Sequence, residues 1–379
     1  MAERGSGTRR NISKQSRAGV HPAAEPVQNP RLVCSEESAA PLGIRLEWPS
    51  KRLERPIPAA DLEIVRRGKP GLRLVAGDNL AALAALNERN TKAMLVYLDP
   101  PFFTGREHEH VERERTPSGV RRTLVPAFDD RWKNLDEYLA ALYDRLRAAR
   151  ELLADEGCLV LHVDPKTSHY AKILCDELFG TRAFASEIIW RYRRWPAKTR
   201  NFQRVHDVLL RYVRDPDAPQ RFRQLYEPLA ASTLATWGES RQRAVVDATG
   251  RRKRSSVTTE RSPGTPLGDV WDISIIAPVA RERTGYPTQK PEALIERLIL
   301  ACTDPGELVL DPYLGSGTTL AVSARLGRRA IGIDRSEVAI AIARERLIAL
   351  GEKPFEEKVR MAGPSVQASP LASRPAHVA

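Results

Sequence analysis

Apolar positions along this chain follow two different periods. Predominantly apolar runs at residues 72–76, 95–98, 157–163, 308–310 and 329–333 have the length and composition of buried strands. Two more, at 186–192 and 207–213, read as strands joined by a basic, aromatic connector. Between the runs the spacing turns helical: Ala81, Leu83 and Leu86 follow the first strand, and a helix ending at Phe179 follows the third. Leu294, Ile295, Leu298 and Ile299 share one face of a helix over residues 292–302, and a further helix spans 318–326. Strands alternating with helices predict an α/β fold with helices layered on a sheet.

Several strands end in chemistry. The second delivers Asp99-Pro100-Pro101-Phe102 to one turn. Two prolines fix φ and remove two amide donors, so the nearby carbonyls stay available as acceptors. With the Asp99 carboxylate and the flat Phe102 ring, the turn suits an amine on a planar heterocycle, although such a string also serves as an ordinary strand-ending turn. Downstream, Asp311-Pro312-Tyr313-Leu314-Gly315-Ser316-Gly317-Thr318-Thr319 runs from strand to helix through a glycine-rich turn. Gly315 and Gly317 let backbone approach a ligand, and the helix start offers free N–H groups. The next strand ends in Asp334, placed to accept from a ribose diol. This spacing is shared by nicotinamide and other nucleotide cofactors, but the third glycine of G-x-G-x-x-G is missing here.

Two other turns carry signals. Gly285-Tyr286-Pro287-Thr288-Gln289-Lys290-Pro291 leads into the helix over 292–302; prolines at a helix entrance explain part of it but not the Thr-Gln-Lys between them. At Gly77-Asp78-Asn79-Leu80, Asp78 reads either as a helix cap or as an acceptor for a cofactor amine.

Taken together these motifs resemble those of the DNA amino-methyltransferases: (D/N/S)PP(Y/F), D-P-F-x-G-S-G-T-T with Tyr313 in place of the commoner Phe, (H/Y)PTQKP, and G-D-(N/A)-L. The order, with Asp78 and Asp99 before Gly315, is that of the circularly permuted β class. The resemblance covers residues 70–215 and 280–350 and implies a Rossmann-like fold with a mixed seven-stranded sheet, helices on both faces and a basic target-recognition insert. It implies S-adenosylmethionine as cofactor, held by Asp78, Thr288, Lys290, Asp311, Tyr313, Gly315, Ser316, Gly317, Thr318 and Asp334. It further implies that Asp99 and the carbonyl of Pro100, followed by Pro101, hold the target amine while Phe102 stacks on an extruded base. Asp in the first motif position resembles the N6-adenine enzymes more than the N4-cytosine enzymes. An RNA substrate and a non-catalytic nucleic-acid binder are the other readings, the latter expected to have lost Asp99 or the Gly315 loop. A homodimer and a separate restriction endonuclease are partners suggested by analogy alone.

Charge bears on the substrate. The 379 residues carry a formal charge of +12. Residues 182–261 hold 18 Arg or Lys against 8 Asp or Glu, so the excess is concentrated and has the character of a footprint for duplex DNA. Arg191, Arg193 and Arg194, interleaved with aromatics, and the run Arg251, Arg252, Lys253 and Arg254 are the candidate phosphate contacts; the second run alone also suits a solvated face.

The organisation expected is a basic tail over 1–45, a first catalytic segment over 46–213, the insert over 214–284, a second catalytic segment over 285–352 and a tail over 353–379. The polar stretch 104–122 reads as a mobile loop closing on DNA. Its His108-Glu109-His110 lacks the context of a metal site, and no metal is expected. His162 and the His206-Asp207 pair read as structural. Cysteines 34, 158, 175 and 302 form no C-x-x-C pair and no Pro-Cys nucleophile turn, which argues for a reducing cytoplasm and against C5-cytosine chemistry. No apolar run reaches membrane-spanning length. The resemblance adds a prokaryotic, nucleoid-associated location.

Overall fold

Strand-to-helix alternation organises the computed structural model, which describes residues 46–48, 51, 59–116, 119–196, 198, 200–241, 244–254 and 260–361. The chain enters through β1 (Ala60–Arg66), β2 (Lys69–Ala76), α1 (Asn79–Glu88) and β3 (Ala93–Leu98). A hairpin of β4 (Glu107–Thr116) and β5 (Gly119–Asp129) precedes α2 (Leu135–Glu151), β6 (Leu153–Val163), α3 (Ser168–Phe179), β7 (Phe184–Arg191) and β8 (His206–Val213). Short pieces follow: β9 (Tyr226–Glu227), α4 (Ala231–Trp237), β10 (Ala244–Val246), β11 (Arg252–Arg254), β12 (Thr265–Pro266) and β13 (Val270–Asp272). Regular alternation resumes with α5 (Glu292–Cys302), β14 (Leu308–Asp311), α6 (Thr318–Arg325), β15 (Arg329–Asp334), α7 (Glu337–Ala349) and β16 (Pro354–Met361).

Ten strands form the main sheet, in the order β1-β16-β2-β15-β14-β3-β6-β8-β7-β13. Its central seven, from β2 to β7, make the expected mixed sheet: β2, β15, β14, β3 and β6 are parallel, and β8 runs antiparallel to both neighbours. β14 and most of β6 are buried on both faces, which is why they read as continuous apolar runs. From β14 the chain winds through α6 to β15 on one side, whereas from β3 it winds through α2 to β6 on the other. Right-handed crossovers in opposite directions put the helices on opposite faces. The crevice between β14 and β3 is therefore the switch point where such folds bind ligands.

Local chemistry places the helices. Asp78 caps α1, accepting from Leu80 N at 3.0 Å and Ala81 N at 3.2 Å. Asn134 caps α2 through Glu137 N at 2.9 Å, with Asp136 and Glu137 in the first turn favouring the positive end of its dipole.

Three expectations give way. Residues 354–361, assigned to a tail, are a strand of the main sheet, paired with β1 on one side and β2 on the other. Their apolar pattern is disguised because Glu356 and Glu357 are buried and paired, Glu356 with Arg344 at 2.8 Å and Glu357 with Arg89 at 2.9 Å and with Arg73. Residues 270–272, counted with the insert, pair in parallel with β7 at the other edge, and three residues are too few to show a period. Residues 107–129 are a hairpin rather than an irregular loop, registered from Glu107 opposite Asp129 to Thr116 opposite Gly119. Backbone pairing holds it, so its sequence shows little apolar alternation. Its base does pack, with Ala127 and Phe128 against Tyr286. The tails over 1–45 and 362–379 lie outside the described residues.

Candidate active site

At the switch point, four carboxylates end up at one edge of the sheet: Asp78 after β2, Asp99 after β3, Asp311 ending β14 and Asp334 ending β15. All four line one cavity of about 370 Å³. Pro100, Pro101, Phe102, Thr288, Lys290, Tyr313, Gly315, Ser316 and Thr318 line it too. Gly317 stands behind that wall, where an added Cβ would lie 2.6 Å from the Ala343 Cβ of α7.

On the catalytic side, Asp99 Oδ2 accepts from Lys290 Nζ, while Asp99 Oδ1 is buried with no hydrogen-bond partner. The Lys290 ammonium also lies 4.9 Å from the centre of the Phe102 ring, a cation–π contact. The turn after Phe102 is pinned by buried Asp130, which accepts from Phe103 N at 3.0 Å, Thr104 N at 2.8 Å and Trp132 Nε1 at 2.9 Å. Phe103 takes the left-handed conformation, at φ 56°, that this turn requires.

Behind Asp99 runs a buried polar chain. His162 Nδ1 is 3.8 Å from Asp99 Oδ1 and 2.8 Å from Tyr97 Oη, and its Nε2 is 3.3 Å from Asp207 Oδ2. Burial raises the Tyr97 phenol well above its usual range, so it stays protonated beside His162 Nδ1. Tyr192 Oη donates to Asp207 Oδ1 at 2.9 Å. Burial pushes the Asp207 carboxyl up, but the His162 contacts, Lys290 and Tyr192 outweigh it and hold the carboxyl below the usual range.

On the loop side, Gly315 and Gly317 have φ of 49° and 72°, values that favour glycine. Gly317 leads directly into α6 without a side-chain cap, leaving the first amides of that helix for a ligand. Asp334 Oδ2 accepts from Gly315 N at 2.9 Å and its Oδ1 from Ser336 N at 2.9 Å, while burial pushes its carboxyl up. Asp311 is pushed up to about 7 by burial, with Asp99 and Asp334 adding repulsion against the hydrogen bonds from Thr319 and Tyr313. Thr318 Oγ1 ties this loop to the other motif by donating to Lys290 O at 3.2 Å. Thr288 holds φ at 59°, strained for a β-branched residue, and faces the same cavity.

An acidic pocket of this kind suits a cationic ligand rich in N–H and O–H donors. The donor set fits the S-adenosylmethionine implied by the motifs: Asp78 and Asp334 stand as acceptors for amine and hydroxyl groups, and the loop glycines admit close backbone contact.

Asp78 is both cap and wall: besides capping α1 it receives Arg145 at 3.2 Å from α2. The Lys290 ammonium sits on Asp99, toward the reacting side of the cavity. A second cavity of about 510 Å³ adjoins the first across Phe102 and Lys290, lined also by Arg194, Arg204 and Tyr192. Arg194 lies over the Tyr192 ring at 5.1 Å, Arg193 is exposed, and Arg191 pairs with Asp272. Arg251 is exposed, and Arg252, Lys253 and Arg254 form β11 against β10. Asp130 and Arg145 escaped the sequence reading because they belong to no motif, and Tyr286, though inside the (H/Y)PTQKP segment, is given no role by it. His162 and Asp207 were visible, but only the pairing of β6 with β8 brings them behind Asp99. Among the described residues no group of three or more His, Cys, Asp or Glu is gathered to hold a metal, and no helix is long and apolar enough to cross a membrane.

A glycine-rich loop and an Asp-Pro-Pro-Phe turn facing each other across the switch point are the makings of a methyl-transferring enzyme. The family profile described as DNA methylase matches residues 93–345. The chain belongs to this N6-adenine/N4-cytosine DNA methylase family and is a DNA methyltransferase. Among similar proteins, the type II methyltransferase M.HpaI of Haemophilus parainfluenzae is 29% identical over 275 residues, covering 73% of this chain and 74% of its own. DNA adenine methyltransferase YhdJ of Escherichia coli K12 is 25% identical over 306 residues, covering 79% and 90%. Among solved structures, the M1.HpyAVI complex with S-adenosylmethionine superposes with a TM-score of 0.45 at 18% identity, covering 73% of this chain and 98% of that one.

Proposed function

We propose that this enzyme transfers a methyl group from S-adenosylmethionine to the N6 amine of an adenine extruded from duplex DNA. The observation that carries the reading is Asp99 Oδ1, a buried acceptor with no partner at the floor of a cavity shared with the Gly315 loop. A buried polar atom left unpaired is costly, and an exocyclic amine supplies the missing donor.

Extrusion of the base costs a few kcal/mol, offset by stacking on Phe102. Asp99 Oδ1 and the Pro100 carbonyl then accept the two amine hydrogens, which turns the nitrogen lone pair toward the cofactor side of the cavity. The bound cofactor supplies a methyl group on a positively charged sulfur. Asp78 and Asp334 hold the nucleoside part, Tyr313 covers the methionine part, and Thr288 beside the Ser316–Thr318 turn holds its amino-acid end. Lys290 keeps Asp99 fixed, so most of the rate comes from orientation. The surplus proton leaves the methylated nitrogen for Asp99 or solvent. Adenine is preferred over cytosine because the motif begins with Asp; the adenine specificity in the name of the YhdJ relative agrees. The type II names among the relatives support a role beside a separate endonuclease.

Asp99→Ala tests the reading: turnover on mixed duplex DNA should vanish while S-adenosylmethionine binds with nearly unchanged affinity. Near-normal turnover in that variant would remove Asp99 from the chemistry.

A further inference from the structure

The connector between β7 and β8 carries two large apolar side chains with nothing to bury them: Trp195 is 89% exposed and Phe202 98%. Residues 191–206 around them hold six Arg or Lys and no Asp or Glu. The connector is nonetheless tied at its base, where Tyr192 N donates to Val205 O at 2.8 Å, and across its arms, where Gln203 Nε2 donates to Trp195 O at 2.9 Å. Its stems, Tyr192, Arg194, Arg204 and His206, line the second cavity, whose lining also includes Phe102 and Lys290. Arg204 is anchored to Asp164 at 2.6 Å. The two rings therefore sit on the two arms of a basic, tethered loop rooted beside the surface on which the target base is to stack.

Resting on the function proposed above, we infer that this loop is the element that opens the duplex: Trp195 and Phe202 enter the base stack and occupy the space that the extruded nucleotide leaves. The reasoning is physical. Exposed aromatics cost hydration unless a partner covers them, and every base offers a π face to such a ring. Arg191 pairs with Asp272 and Arg204 with Asp164, but the connector brings no carboxylate of its own to its other four cations, and that excess selects a polyanion as the partner. Apolar wedges beside basic groups are how proteins unstack base steps, and the wedge must lie within one nucleotide's reach of the pocket that receives the base. Arg193, Arg194, Lys198 and Arg200 supply backbone contacts around the two rings.

The test uses the full chain and a duplex carrying the methylated sequence mapped on plasmid DNA, with the target base opposite either its complement or an abasic site. Trp195→Ala/Phe202→Ala should methylate the paired duplex at least about tenfold more slowly than the parent, the value of one lost stacking contact. On the abasic duplex, where little stacking and no pairing holds the base, it should recover to within about twofold. Cofactor affinity and thermal melting should match the parent, since both rings are exposed. Equal loss on both duplexes, no loss on either, or unaltered DNA kinetics with loss of binding to anionic lipid vesicles would overturn the inference. If the parent methylates no site, it is the proposed function that fails.

Discussion

Lys290 donates to one carboxylate oxygen of Asp99 and leaves the other buried and unpaired. The pair joins two motifs 191 residues apart in sequence, and neither side chain is more than 15% exposed. Removing one member of such a pair leaves an uncompensated buried charge, at a cost of about 3–5 kcal/mol. Lys290→Met should lower unfolding stability by roughly that amount. Adding Asp99→Asn should restore most of it, because the stranded charge is then gone. Additive losses in urea unfolding would show that the two residues do not depend on each other.

Phe102 is the stacking platform in this account. Phe102→Ala should reduce kcat/KM on DNA roughly ten- to a hundredfold, and Phe102→Tyr should retain most activity. Steady-state kinetics on the two variants decide it, since an equal loss in the tyrosine variant would separate Phe102 from stacking.

Gly317→Ala meets two penalties. Its φ of 72° is unfavourable for alanine, and the new methyl would press on Ala343 Cβ at 2.6 Å and Cα at 2.9 Å. The Gly315–Thr318 loop must move, and cofactor affinity by calorimetry should fall more than tenfold. Gly250→Ala, at φ 79° with nothing within 4 Å, is the control. It should cost about 1–2 kcal/mol of local strain and leave cofactor binding intact.

Asp311 gives the site a pH signature. Its carboxyl is pushed from 3.8 to about 7 by burial. The folded protein thus holds a proton that the unfolded chain releases, and this contribution to stability falls as pH rises from about 4 to about 7. Thermal melting without cofactor should show that decline, and Asp311→Asn should flatten it. A sulfonium ligand favours the ionised form, so affinity for S-adenosylmethionine should rise through pH 7 more steeply than affinity for the uncharged product, S-adenosylhomocysteine. Parallel slopes for the two would separate Asp311 from the ligand's charge.

Much of the site was legible because its contacts are local. Asp99, the Gly315 turn and Asp334 follow strands whose apolar runs are plain, and a strand followed by a helix places its end at the ligand edge. What escaped depends on contacts between distant segments. Nothing near Lys290 in sequence announces a carboxylate partner in another motif. His162 and Asp207 meet only through antiparallel pairing of β6 with β8. Asp130 looks like any acid at a hairpin's end until it is seen holding Phe103 and Thr104. The strand at 354–361 was hidden for a related reason, because its buried glutamates are neutralised by arginines from β2, α7 and the C-terminal cap of α1. The glutamates pass for surface residues until those pairs are known.

The central claim is that the Asp99 turn presents an adenine amine for methylation. Transfer of labelled methyl groups to mixed duplex DNA, followed by digestion to nucleosides and mass spectrometry, tests it most directly. The account predicts label in N6-methyldeoxyadenosine alone. Label in N4-methyldeoxycytidine, or no label in either nucleoside, would contradict it.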